Sequence, residues 1–256
     1  MRATLRADGP SLAGVPDLPA AARLVAWGNA CLAGAVSPDE AAERVTGPTD
    51  ATSRVFGLPG ETGGVSMTYA LARLRALGMT SLRLALPRPG DVSGLPGPPA
   101  FNERALAAGA AALAPGPTPL GLLDESRGAW TVHQVAQDVR TPMSLADAER
   151  DLHHVMRSAT ARLVHLDVAR WQPAAAEVLA HQAQAAHSPL PAAAAPRAAH
   201  VLETSLRLLS IVEVARADDG AAVSAAEMAS RREALRDIET AARRAVEAAC
   251  SARPVS

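Results

Sequence analysis

The residues best suited to chemistry sit in two loops rich in glycine and proline. The first, Gly57-Leu-Pro-Gly-Glu-Thr-Gly-Gly64, follows a short apolar run and opens into a helical pattern that starts at Ser66. Free amides and the positive end of a helix dipole at such a place can hold an anion, with Thr62 and Ser66 as hydroxyl donors. Gly60, Gly63 and Gly64 nevertheless match neither dinucleotide-binding nor P-loop spacing, no Lys-Ser/Thr pair follows, and Glu61 would repel a phosphate. The competing reading, preferred on turn chemistry, is a tight connection whose glycines take left-handed conformations.

The second loop, Pro87 to Pro99, contains Asp91 and leads to Asn102 at a helix start. Were the two loops to leave adjacent parallel strands, they would meet at the edge where open α/β sheets place ligands. Asp91 and Glu61 would then form a carboxylate pair able to bind a cation or move protons. The plainer reading makes Asp91 part of a proline-glycine turn and Asn102 a helix cap. A third candidate is His133, which shares a strand face with Thr131. Arg83, on the polar side of its own strand, would point to the same side of the sheet and complete a polar pocket.

Other reactive types are dispersed. Of seven histidines, His153 and His154 are adjacent and point about 100° apart on a helix, so they do not chelate one ion together. No H-E-x-x-H spacing and no G-x-S-x-G elbow occur. Cys31 and Cys250 lie far apart in apolar settings and read as buried thiols, with no charged neighbour to activate Cys31. No metal, cofactor or catalytic set is expected.

These groups must be positioned by a chain of 256 residues, long enough to bury a substantial core. It contains 25 arginines, no lysine and 59 alanines, which points to a GC-rich coding source. Its net charge of −1 and 2% aromatic content oppose both phosphate-backbone binding and base stacking. The uncharged run from Ala105 to Leu123 is broken by Pro115, Pro117 and Pro119, so it reads as helix, turn and strand instead of a membrane span. With no signal-peptide block at the N-terminus, a cytoplasmic location is expected.

Residues 1–18 read as a loose arm. Helices are predicted from Pro19 to Leu32, from Ser37 to Gly47, from Ser66 to Leu77 and from Phe101 to Leu113. Strands are predicted at 53–57, 81–86, 120–123 and 129–135, the last two as a hairpin. Strand 53–57, the following helix and strand 81–86 have the length of a parallel crossover. Beyond Ser144 the pattern is helical: from Leu145 to Leu166, from Pro173 to Ala186, from Arg197 to Arg216 and from Ala225 to Ser251, with Asp218-Asp219-Gly220 as a stop and with Ser37, Ser66, Ser144 and Ser224 expected as helix caps. Glu227 with Arg231, and Glu239 with Arg243, stand at i,i+4 spacing in the favourable order.

Leu24-Val-Ala-Trp-Gly-Asn29, Gly57-Leu-Pro-Gly60, Leu71 to Gly78, Leu84 to Asp91 with Phe101-Asn102, and Leu208 to Glu213 resemble segments of uncharacterised proteins from high-GC actinobacteria. That resemblance implies a bacterial protein and carries no activity, cofactor or catalytic residue. The expected fold is α+β: a small mixed sheet with flanking helices over 19–142, and an α-helical bundle over 143–256 packed on it. The expected function is that of a non-enzymatic interaction or accessory protein, with a protein partner or self-association through the alanine-lined last helix. Its alternative is a binding protein or enzyme for a small anionic metabolite at loops 57–64 and 87–102.

Overall fold

The computed structural model describes residues 18–47, 53–126, 128–136, 143–165, 190–217 and 225–254. Within them the chain is α+β. Seven helices are described: α1 (Ala20–Leu32), α2 (Pro38–Thr46), α3 (Met67–Ala76), α4 (Pro99–Ala108), α5 (Leu145–His165), α6 (Pro196–Ala217) and α7 (Ala225–Cys250). Five strands, β1 (Arg54–Phe56), β2 (Arg83–Ala85), β3 (Ala111–Ala114), β4 (Leu120–Ser126) and β5 (Ala129–Gln134), form one sheet in the order β1-β5-β4-β3-β2. Only β1 and β5 pair in parallel; the other neighbours are antiparallel, so the sheet is mixed. The predicted arm, the helix at Pro173–Ala186, the Asp218–Gly220 stop, Ser224 and Leu166 lie outside the described residues.

Local chemistry sets several element ends. The Ser37, Ser66 and Ser144 hydroxyls accept from the backbone N–H groups of Glu40, Tyr69 and Asp147, so three of the predicted serine caps operate. The predicted helix through Leu113 stops five residues early. Gly109 takes a left-handed conformation (φ +73°) and ends α4, and the chain re-enters the sheet as β3. Alanine is a strong helix former, but β3 (Ala-Ala-Leu-Ala) lies in the sheet interior and is buried at every position. There its small side chains let layers on both faces come close, and packing overrides propensity.

The parallel crossover is also corrected. β1 and β2 occupy opposite edges, and the chain of pairings makes them run in opposite senses. The β4–β5 hairpin and β3 lie between them.

Each face of the sheet has its own cover. Leu84, Ala112, Leu122 and Val132 lie in one cross-strand row, and Trp130 and Val55 continue that face. These residues merge with Leu24 and Val25 of α1, Leu71 and Leu74 of α3, and buried residues of α5, α6 and α7 in one apolar core. On the opposite face Phe101 and Ala105 of α4 cover Leu113, Leu123, Ala85 and Val135. Gly121 is the contact point: a Cβ there would lie 2.4 Å from the Phe101 ring and 2.9 Å from Val135. Among the described residues no helix is long and apolar enough to cross a membrane.

Gly121→Val should lower stability by about 1–3 kcal/mol through overpacking between α4 and β4. Urea unfolding followed by circular dichroism would read this as a lower midpoint.

Candidate functional site

Asn29, Arg243, Glu247 and Ser251 converge on the free edge of β2. An edge strand presents unpaired N–H and C=O groups, which must find partners when buried. Here side chains supply them. Asn29 of α1 accepts the Leu82 N–H at 2.6 Å and donates to the Leu82 carbonyl at 3.0 Å, as a neighbouring strand would. From α7, the Ser251 hydroxyl accepts the Leu84 N–H at 3.0 Å and Glu247 accepts the Leu86 N–H at 2.6 Å. The Arg243 guanidinium donates to the Leu86 carbonyl and, at 2.9 Å, to Asp91.

Spacing explains the fit. Four helical residues advance about 6 Å, and two strand residues advance about 6.6 Å. Glu247 and Ser251 therefore meet the N–H groups of Leu86 and Leu84, and Arg243, one turn earlier, reaches the Leu86 carbonyl. Gly28 allows α1 its approach, since a Cβ there would lie 2.5 Å from Leu82 Cδ1.

The same side of α7 carries an ionic cluster against loop 87–99 and α6. Glu239 is buried and pairs with Arg88 and, at 2.5 Å, with Arg216. Glu239 and Arg243, although at helical i,i+4 spacing, each pair with other elements, and Arg231 donates to the Ala215 carbonyl at 2.9 Å. Facing loops and helices outcompete the i,i+4 neighbours because a partly buried ion pair is worth more than an exposed one. Ser93 hydrogen bonds and Arg243 hold the Asp91 carboxyl below its ordinary range. Burial pushes Glu247 up to about 7, against the Leu86 hydrogen bond and the charge of Arg243.

The two loops share one construction. Leu58-Pro-Gly-Glu61 and Arg88-Pro-Gly-Asp91 are both turns with Pro-Gly at the centre and positive φ at glycine (+87° at Gly60, +86° at Gly90). In the first, the Glu61 N–H donates to the Leu58 carbonyl, Val65 bridges back to Val55, and the Glu61 carboxylate accepts from the Tyr69 hydroxyl at 2.7 Å. Gly64 lies against the Phe56 ring, Ser66 caps α3, and Thr62 and Gly63 are exposed. In the second, Asp91 closes on Ser93 and Arg243, while Asn102 accepts the Gly97 N–H at 2.9 Å from within the first turn of α4. Pro98, not Asn102, is the N-cap. Four strand spacings of about 4.8 Å separate the edges from which the loops leave, so Glu61 and Asp91 do not form the carboxylate pair considered above.

Arg83 and His133 do share a face. They end the cross-strand row Arg83–Leu113–Gly121–His133, with Leu113 and the Phe101 contact on Gly121 between them, so no common pocket joins them. His133 Nε2 lies 3.0 Å from Thr131 Oγ1, beside the Arg104–Glu125 ion pair of α4 and β4. Burial and the Arg104 charge lower the His133 pKa, and Glu125 opposes them. Cys31 does have a cation nearby, Arg75, but burial dominates and raises its pKa; burial takes Cys250 up to about 12. Among the described residues no group of three or more His, Cys, Asp or Glu side chains converges as metal ligands would.

A hollow of about 450 Å³ opens between the end of α6 and the first turns of α7. Met228 and Leu235 form its apolar floor, and Arg216, Arg231, Arg232 and Arg236 line it. Asn29, Glu247, Ser251 and these arginines escaped sequence reading. The available signal was a polar row at i, i+4 and i+8 (Arg243, Glu247, Ser251) flanking the alanine stripe of α7.

This is an α+β protein with its polar interior at a helix–strand joint. Residues 21–145 match the family model described as the N-terminal domain of Rv1486c-like protein, and residues 146–247 match that of its C-terminal domain. The chain belongs to this Rv1486c-like family, which takes its name from a mycobacterial gene, consistent with an actinobacterial origin. Neither description states an activity. No curated protein and no solved structure matches the chain.

Two outcomes test the joint. Arg243→Met should cost about 2–4 kcal/mol, because it strands the Leu86 carbonyl and the Asp91 carboxylate; chemical denaturation measures it. Glu247 has a folded pKa above its unfolded value, so the native state binds the extra proton between about 4.5 and 7. Its contribution to stability therefore falls as pH rises through that window. Glu247→Gln does not titrate and should gain stability relative to the parent from pH 5 to pH 8, by urea midpoints. The other groups facing this site are Arg243, Asp91, Arg244 and Cys250, and Asp91, shifted downward, titrates below the window.

Proposed function

We propose that this is a non-enzymatic interaction protein whose helical half, α5 to α7, engages a protein partner. The observation that carries this reading is the allocation of polar groups. The buried and half-buried charges at the β2 edge join α7 to the sheet, and Glu61, Asp91 and Asn102 of the loops are held by Tyr69, by Ser93 with Arg243, and by the Gly97 N–H. Among the described residues, a hollow of about 450 Å³ lies on the helical half, lined by residues of α6 and α7 and by none of either loop.

The alternative, a small anionic metabolite held jointly by loops 57–64 and 87–102, would need a cleft spanning opposite edges of the sheet. Self-association through the alanine face of α7 loses its surface, because Ala241, Ala242, Ala245, Ala248 and Ala249 are buried within the chain.

A photo-activated cross-linker placed in the source cell at exposed His154 or Arg157 of α5, or at Arg244 of α7, should yield a discrete protein adduct. The same group at Thr62 or Val92 should not. In parallel, a thermal-shift panel of nucleotides, sugar phosphates and carboxylates should leave the melting temperature unchanged. A ligand specific for the native state would add about 2.7 kcal/mol at a hundredfold excess over its Kd. A shift abolished by Asp91→Ala, with no adduct from the helices, would establish the metabolite reading instead.

A further inference from the structure

The hollow between α6 and α7 combines an apolar surface with a cationic rim. Its floor is apolar, from Met228 and Leu235, and its wall is cationic. Two of its arginines are committed: Arg216 to Glu239 at 2.5 Å, and Arg231 to the Ala215 carbonyl at 2.9 Å. The other two are not. Arg232 and Arg236 are exposed, and among the described residues neither has a carboxylate within ion-pair reach; Arg236 Nε only donates to the Arg232 carbonyl at 3.4 Å.

The nearby acids of α7 are turned elsewhere, since Glu233 and Asp237 pair with Arg162 of α5. Like charges at i,i+4 repel on a helix, and an anion between Arg232 and Arg236 would relieve that repulsion. Planar guanidinium groups suit carboxylates in forked, two-point contacts.

The rest of the chemistry narrows the class. A bare inorganic anion fills little of 450 Å³ and gains nothing from an apolar floor. A nucleic acid calls for a wider cationic field, and stacking calls for aromatic rings; the chain has a net charge of −1, and among the described residues no aromatic side chain lines the hollow.

We propose that this hollow is the docking site for an acidic amphipathic segment of a partner protein, its carboxylates paired with Arg232 and Arg236 and its aliphatic side chains seated on Met228 and Leu235. This deepens, and rests on, the interaction reading above.

The test is fluorescence anisotropy with the full chain and a fluorescein-labelled amphipathic peptide bearing glutamates four residues apart beside leucines. Saturable binding is expected. It should weaken about tenfold or more when glutamine replaces glutamate in the peptide, or when the chain carries Arg232→Glu with Arg236→Glu. The milder pair Arg232→Gln with Arg236→Gln should weaken it less, and Arg150→Glu on α5 should leave it unchanged. Both arginines are exposed, and unaltered circular dichroism checks that the variants fold.

Absence of binding, equal affinity for the glutamine peptide, or indifference to the double charge reversal would each overturn the proposal. So would inorganic polyphosphate or single-stranded DNA binding at these arginines while the peptide does not. If the peptide fails but helix-directed cross-linking still joins the chain to a discrete protein, the groove falls and the interaction reading stands. If cross-linking fails as well, both fall.

Discussion

A strand at the edge of a sheet cannot be left with bare amides against a packed helix, and the architecture here follows from how β2 meets that requirement. Its outer side is paired not by another strand but by the side chains of Asn29, Arg243, Glu247 and Ser251. Those contacts fix the register of α7 along the strand and bring α1 against β2. α5 and α6 pack on α7, while α2 packs on α1 and α3, and α4 covers the other face of the sheet. The opposite edge is closed more simply, by the mutual hydrogen bonds of Val55 and Val65. The N- and C-terminal family matches meet at residues 145 and 146, yet the apolar core and this polar seam run through both segments.

Much of this was legible in the residues. Serine caps, apolar stripes and the alternation around Leu84 located most helices and strands, because those signals are local and strong. The failures occurred where local preference met a nonlocal constraint. Ala111 to Ala114 favours a helix by composition, and its place in the sheet interior decides otherwise. The strand–helix–strand spacing of β1, α3 and β2 suits a crossover, but spacing carries no information about which strand becomes the neighbour.

The site was less legible for the same reason. Turn chemistry accounted for Gly60 and Asp91 correctly. Nothing near Asn29 in the chain announces that its amide will imitate a strand, since its partner lies 53 residues away. Glu239 and Arg243 show the converse error. Their spacing suggested a surface pair, and both charges instead reach across to other elements. A helix facing an interior on several sides offers its charges better partners than its own next turn.

The seam also orders events in time. Leu86 is separated from Glu247 by 161 residues. At a synthesis rate of about 5–20 residues per second, roughly 8–32 s elapse between the emergence of β2 from the ribosome and that of its closing helix. Throughout that interval the strand offers an open hydrogen-bonding template to any extended peptide in the crowded cell. The N–H groups of Leu84 and Leu86 wait for partners that arrive only with the closing helix, so chaperone cover is worth most while the strand exists without it.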